Sequence, residues 1–180
     1  MSGSAAALLD FGMTLHGAAH LNTCYKNITQ EDMDMWKNTK LLIIDEVSFM
    51  NESDIKNLNK KLQYLTGATA LFGGISVIFA GDFHQLLPCN GKPLYKSRCV
   101  EIQSINRAIF LHKSHRFADD PDYGLLLRRF CYGAATKEDI RALNTRFIGN
   151  PDVFLPPSSS IRYACATNVE RNAISSSLFI

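Results

Sequence analysis

An α/β fold with a parallel sheet flanked by helices is what this sequence predicts, and three observations carry the expectation. Residues 41–44, Leu-Leu-Ile-Ile, form an aliphatic run that ends in two carboxylates, Asp45 and Glu46. A second apolar run at 75–80 ends in Gly81, Asp82, Phe83, His84, Gln85 and Leu86. Between the two, Ile55, Leu58, Leu62 and Leu65 recur at spacings of three and four, which is one face of a helix. Strands alternating with helices imply crossover connections and a parallel sheet. Fully apolar runs suit strands covered on both faces, and ligands of open α/β sheets sit beyond the carboxyl ends of the strands. Asp45, Glu46 and the residues after Gly81 are therefore expected along one active edge.

The elements follow in order. Residues 14–22 read as helical, and 29–37 as a short helix with Thr29 as N-cap and Asp32 and Asp34 in its first turn. A strand is expected at 41–45, then a helix over 51–65 capped by Asn51. Gly73-Gly74 separates that helix from a strand at 75–80. Beyond Pro88 the pattern weakens through Asn90-Gly91, and helical signals return at 102–111, 122–132 and 136–147. Pro156 to Ser160 reads as a loop, followed by a strand at 161–166 leading into Thr167-Asn168. A domain boundary is expected near residue 113.

Composition narrows the class. With 180 residues, 46% hydrophobic and 20% charged, the chain can bury a core, which excludes a disordered protein. A net charge of +2 neither demands nor excludes a polyanionic partner. The five cysteines are well separated, with no C-x-x-C pair, so reduced thiols are expected and a structural zinc is not. No apolar run reaches the roughly 18 residues of a spanning helix, and no signal-peptide order opens the chain. An intracellular chain without a membrane segment is expected, with the sequons at Asn27 and Asn51 unglycosylated.

An Asp-Glu pair closing a buried strand fits the metal and base roles of a nucleotide hydrolase. The aspartate holds Mg2+, a hard cation that prefers oxygen ligands, and the neighbouring carboxylate polarises an attacking water. The alternative is that Asp45 and Glu46 cap whatever follows the strand. At the second strand end, Gly81 permits close backbone approach, Asp82 can order the metal's surroundings, and Gln85 offers a donor and an acceptor to a phosphate or water. The alternative there is a polar turn before Pro88, with His84 as an ordinary surface imidazole. Phe83 and Phe117 could offer stacking faces, but among 11 phenylalanines a core role is the expectation. His112 and His115 have no further ligands nearby, so no metal site is expected there.

These motifs resemble those of the petite-integration-frequency (PIF) type DNA helicases, superfamily-one, RecD-like enzymes of 5′-to-3′ polarity. Ile43-Ile44-Asp45-Glu46-Val47-Ser48 is similar to their Walker B segment and Gly81-Asp82-Phe83-His84-Gln85-Leu86 to motif III. Ser-Gly-Ser-Ala-Ala-Ala at 2–7 followed by Gly12-Met13-Thr14-Leu15-His16 resembles motif Ia, and Ser114-His115-Arg116-Phe117 resembles motif IV. Cys165-Ala166-Thr167-Asn168, with Asn172, is similar to a segment of the second RecA-like domain.

The resemblance implies a RecA-like P-loop NTPase fold and the cofactors ATP and Mg2+. It gives Asp45 to magnesium, Glu46 to water activation, Gln85 to γ-phosphate sensing, and Asp82 to the nucleotide site. Arg116 becomes an arginine finger from the second domain, its alternative being a surface arginine beside Lys113 and His115. Thr14 and His16 are given to DNA, their alternative being a helix cap and a surface histidine. The implied partners are single-stranded DNA and duplex junctions, and the implied setting is DNA repair, recombination and telomere maintenance in the nucleus or mitochondrion.

One departure matters. No Gly-x-x-x-x-Gly-Lys-[Ser/Thr] occurs in the 180 residues; Gly12 and Gly17 have the glycine spacing but continue Ala18-Ala19. Leu87 stands where the family usually has proline. Residues 1–113 are expected to form most of a first RecA-like domain lacking its phosphate-loop unit, and 114–180 the start of a second. On that basis the chain alone is expected neither to hydrolyse ATP appreciably nor to unwind DNA. The alternative is a non-catalytic helicase remnant, derived from a mobile element, that binds only nucleic acid or a partner.

Overall fold

The computed structural model describes residues 12–21, 25–112, 115–147 and 164–178. The chain divides into two compact units, Met1–Leu111 and His112–Ile180. In the first, a short helix α1 (Leu15–Ala18) precedes α2 (Gln30–Asn38), β1 (Leu41–Ile44), α3 (Glu52–Thr66), β2 (Ser76–Phe79) and α4 (Val100–Gln103). The second holds α5 (Pro121–Cys131), α6 (Lys137–Asn144) and α7 (Asn168–Leu178).

β1 and β2 pair in parallel, Leu41 opposite Ser76 through Ile44 opposite Phe79, with α3 in the crossover between them. This is a mixed α/β arrangement around a small parallel sheet. The fully buried Ile55, Leu58, Leu62 and Leu65 place one face of α3 in a core with Ile44, Val47, Met50, Phe72, Ile75, Leu94 and Trp36. Ile44, the last residue of β1, is 3% exposed, so the strand's carboxyl end is anchored in the core. The expectation that both faces of the sheet are covered fails. Side chains alternate across a strand, and among the described residues Leu41, Ile43 and Ile78 stand about half exposed on the face away from the core.

Helix starts follow local chemistry. Thr29 and Asp32 close a reciprocal capping box on α2, with the Thr29 hydroxyl accepting the Asp32 N–H at 3.1 Å. Asn51 caps α3, its Oδ1 accepting from Ser53 N–H at 2.7 Å and Asp54 N–H at 3.0 Å. The same side chain donates to the Asn90 carbonyl at 3.1 Å, and Glu52 N–H donates to Lys92 O at 3.1 Å, so the loop 90–93 is tied to the first turn of α3. Asn51→Ala is expected to lower the stability of this unit by about 0.5–2 kcal/mol, read as a lower urea midpoint at unchanged slope.

Two expected helices are shorter than the sequence suggests. Among the described residues of 14–22, only Leu15–Ala18 is helical, because His20 takes a left-handed backbone at φ 50°. Of 102–111, only Ile102 and Gln103 are helical: the Ser104 hydroxyl donates to Glu101 O at 2.8 Å and the helix stops. Ile109, Phe110 and Leu111 form a continuous apolar run with no amphipathic period, and they are 84%, 78% and 92% exposed. Of the strand expected at 161–166, residues 161–163 lie outside the described residues and 164–166 are not a strand. No helix among the described residues is long and apolar enough to cross a membrane.

In the second unit, Asp139 joins two helices. Thr136 and Asp139 form the capping box of α6, and Arg129 of α5 grips both carboxylate oxygens of Asp139, Nε donating to Oδ2 at 2.7 Å. The Arg129 guanidinium first, and the Thr136 N–H second, hold the Asp139 carboxyl well below the usual carboxylate range. A depressed pKa contributes stability above the unfolded value of 3.8 that is lost as pH falls from there toward the folded value. The gap in thermal midpoint between this protein and Asp139→Asn is therefore expected to narrow as pH drops below 3.8, followed by helical circular dichroism.

Candidate functional site

The carboxyl ends of β1 and β2 meet beyond the last paired residues. Ala80 N–H donates to Ile44 O at 2.8 Å, and Val47 N–H donates to Ala80 O at 2.9 Å, extending the parallel ladder past both strands. Gly81 follows, at φ 153°. A Cβ there would lie 2.8 Å from Val47 N, a distance real Cβ atoms do not tolerate, so the absent side chain is what lets the peptides pass. The strand ends bearing Asp45–Glu46 and Gly81–Asp82 are thereby locked together.

Within this edge Asp45 is partly buried, and its Oδ1 accepts the Glu46 N–H at 2.9 Å. Glu46 takes a left-handed backbone, φ 55° and ψ 45°, which is uncommon for a residue with a Cβ and directs the chain into the 3-10 turn Val47–Phe49. Glu46 Oε2 is buried without a hydrogen-bond partner among the described residues, and so is the hydroxyl of Ser48, which is fully buried. An orphaned carboxylate oxygen is a group awaiting a partner. Asp82 opens the next turn: its Oδ1 accepts the His84 N–H at 2.8 Å, its carbonyl accepts the Gln85 N–H at 3.1 Å, and the His84 ring lies 3.1 Å from Oδ1. The Gln85 side chain is exposed.

The edge brings together Asp45, Glu46 and Asp82, with Gln85 on the same turn as Asp82. Thr14 is the N-cap of α1, its hydroxyl accepting the Gly17 N–H at 3.2 Å, and His16 is exposed one turn on. Arg116 is exposed and belongs to the second unit, while Ser2 to Ala7 and Ser114 lie outside the described residues. Phe83, expected in the core, is instead 42% exposed and packs edge-to-face on Tyr95 at 5.4 Å between centroids. The sequence assigns no individual role to Tyr95 or to Ser48. Neither sits at a spacing that signals chemistry, although Tyr95 is flanked by Lys92, Lys96 and Arg98.

No group of three His, Cys, Asp or Glu side chains converges on a metal position among the described residues. A divalent cation at this edge would need its remaining ligands from water and phosphate, which is how Mg2+ is usually held. The hard oxygens of Asp45, the orphaned Glu46 Oε2 and the glycine cradle at Gly81 fit a magnesium nucleotide.

Comparison with known proteins agrees with the geometry. The model of the PIF1-like helicase family matches residues 1–114. The ATP-dependent DNA helicase PIF7 of Trypanosoma brucei brucei is 29% identical over 157 residues, covering 78% of this chain and 16% of that protein. The crystal structure of the Pif1 helicase from Candida albicans superposes with a TM-score of 0.64 at 26% identity, over 81% of this chain and 36% of that one. The Bacteroides Pif1 helicase, solved in complex with ADP-AlF3 and single-stranded DNA, superposes with a TM-score of 0.69 at 19% identity, over 92% and 43% respectively. The chain thus spans less than half the length of each of these proteins. With the family model covering more than half of its residues, the chain belongs to the PIF1-like helicase family.

Proposed function

We propose that this chain contributes the Walker B and motif III edge of the ATP site of a 5′-to-3′ DNA helicase, built on RecA-like domains and moving along single-stranded DNA. The observation that carries the reading is the hydrogen-bonded junction of the two strand ends, which holds Asp45 and Glu46 beside Gly81 and Asp82. Support comes from the Bacteroides relative of the same fold, which was solved with ADP-AlF3 and single-stranded DNA.

In this reading Asp45 holds Mg2+, Asp82 orders the surrounding turn, and Gln85 contacts the γ-phosphate. Glu46 accepts the proton of the attacking water. Arg116 reaches the nucleotide from a second RecA-like domain, and Thr14 and His16 contact DNA. Bound magnesium and ATP supply charge neutralisation and the bond to be cleaved. The parent acts on single strands and duplex junctions in DNA repair, recombination and telomere maintenance, in the nucleus or mitochondrion.

A graft tests the reading. Residues 25–112 placed in the matching segment of the Candida albicans Pif1 helicase are expected to retain ATPase activity stimulated by single-stranded DNA. A folded graft without that activity, beside an active parent, would overturn it. The second reading, a non-catalytic remnant that binds nucleic acid or a partner, draws on the absence of Gly-x-x-x-x-Gly-Lys-[Ser/Thr] from the 180 residues. For the same reason the 180-residue protein by itself is expected to show no steady ATP turnover.

A further inference from the structure

We infer that His20 is a positioning residue: its imidazole, paired with Asp32, clasps α1 to α2 and so aims Thr14 and His16 at single-stranded DNA. The inference rests on the reading that Thr14 and His16 contact DNA, and it adds the pair that holds them. The backbone at the end of α1 is the first observation. His20 N–H donates to Gly17 O at 3.4 Å and Leu21 N–H donates to His16 O at 3.2 Å, the two bonds of a Schellman turn. Such a turn needs a left-handed residue just past the helix, the place where glycine costs least. Here it is His20, at φ 50°. An L residue persists in that region where surrounding contacts hold it.

The contact that holds it is the second observation. His20 Nε2 lies 3.1 Å from Asp32 Oδ1, with the two side chains 24% and 25% exposed, so water competes only in part. Asp32 divides its carboxylate. Oδ2 accepts the Thr29 N–H at 2.9 Å and the Thr29 hydroxyl at 2.7 Å for the cap of α2, and Oδ1 is given to His20. The Thr29 bonds first, and the His20 ring after them, hold the Asp32 carboxyl below its ordinary value, which keeps it charged at neutral pH. One turn along α2, the Trp36 indole N–H donates to Ala18 O, the last carbonyl of α1, at 3.2 Å. Ala19 is fully buried, and Leu15, Ala18 and Leu21 pack on the core. Apolar contacts of that kind are non-directional and leave a four-residue helix able to roll. The Trp36 and Asp32 contacts are directional, and they fix which way Thr14 and His16 face.

The test takes two readouts on the purified 180-residue protein. The chain has one tryptophan, so hydrogen exchange of the Trp36 indole N–H, followed by NMR, reports the seating of α1 without DNA. Fluorescence anisotropy of labelled oligo(dT) reports the contact. Glycine and asparagine both take the left-handed backbone, so His20→Gly and His20→Asn remove the imidazole and leave the turn. Each is expected to speed indole exchange about tenfold and to weaken oligo(dT) binding about fivefold. Combining His20→Asn with Asp32→Asn should weaken binding no more than either alone. With Thr14→Ala and His16→Ala already present, His20→Asn should have no further effect, a result that general loss of stability would not give. Unchanged indole exchange in both His20 variants would sink the clasp. Faster exchange with unchanged affinity, where Thr14→Ala and His16→Ala do weaken binding, would remove the positioning role and leave the DNA reading standing. If neither of those two variants weakens binding, or the protein does not bind oligo(dT), the DNA reading of Thr14 and His16 fails and the positioning role goes with it.

Discussion

Replacing Glu46 with glutamine in the active graft is expected to lower kcat by about 10²–10⁴-fold while leaving KM for ATP nearly unchanged. The substitution keeps the shape of the side chain and removes its ability to take a proton. Glu46 stands where β1 leaves the sheet, on a left-handed backbone, with one oxygen buried and unpartnered. A residue that only capped the following turn would make a cap hydrogen bond, and Glu46 makes none to the turn at Val47. Steady-state ATPase with and without single-stranded DNA is the measurement. Unchanged turnover in the Glu46→Gln graft would remove Glu46 from the chemistry and leave it a structural acid.

Replacing Leu62 with alanine is expected to destabilise the first unit by about 2–5 kcal/mol. Leu62 is fully buried on the core face of α3, between Leu58 and Leu65, in the cluster that also holds Ile44 and Val47. Removing it leaves a cavity that a close-packed interior relaxes into only partly. A small domain is stable by about 5–15 kcal/mol in all, so the loss takes a large share. Urea unfolding should show a lower midpoint with the slope retained. A shift of less than about 1 kcal/mol would mean that α3 is not the centre of this core.

Legibility in the sequence followed how local the governing interaction is. Thr29 and Asn51 cap their neighbours within three residues, and both caps stand where the sequence places them. The strands are legible because apolar runs bounded by polar residues are a local signal, and observed β1 and β2 lie inside the expected spans. The 102–111 segment misleads because Ile102, Ile105 and Ile109 mimic a helical period while the contiguous Ile109-Phe110-Leu111 does not. At the candidate site, the acids were visible one strand at a time. Their juxtaposition depends on register, which the Ala80 and Val47 hydrogen bonds set. The exposure of Phe83 was hidden because its partner, Tyr95, lies twelve residues away with nothing in the pattern linking them.

The Asn51 cap has one more consequence. Its carbonyl oxygen serves Ser53 and Asp54 of α3, and its amide nitrogen serves Asn90, at the far end of the loop that begins at Gly81. One side chain is thus shared between a helix and the loop that follows Gly81. Any displacement of that loop must either drag the asparagine off the helix or break the link to Asn90. The amides of Ser53 and Asp54 become remote reporters: their hydrogen-exchange protection should change when the turn at Asp82 is engaged.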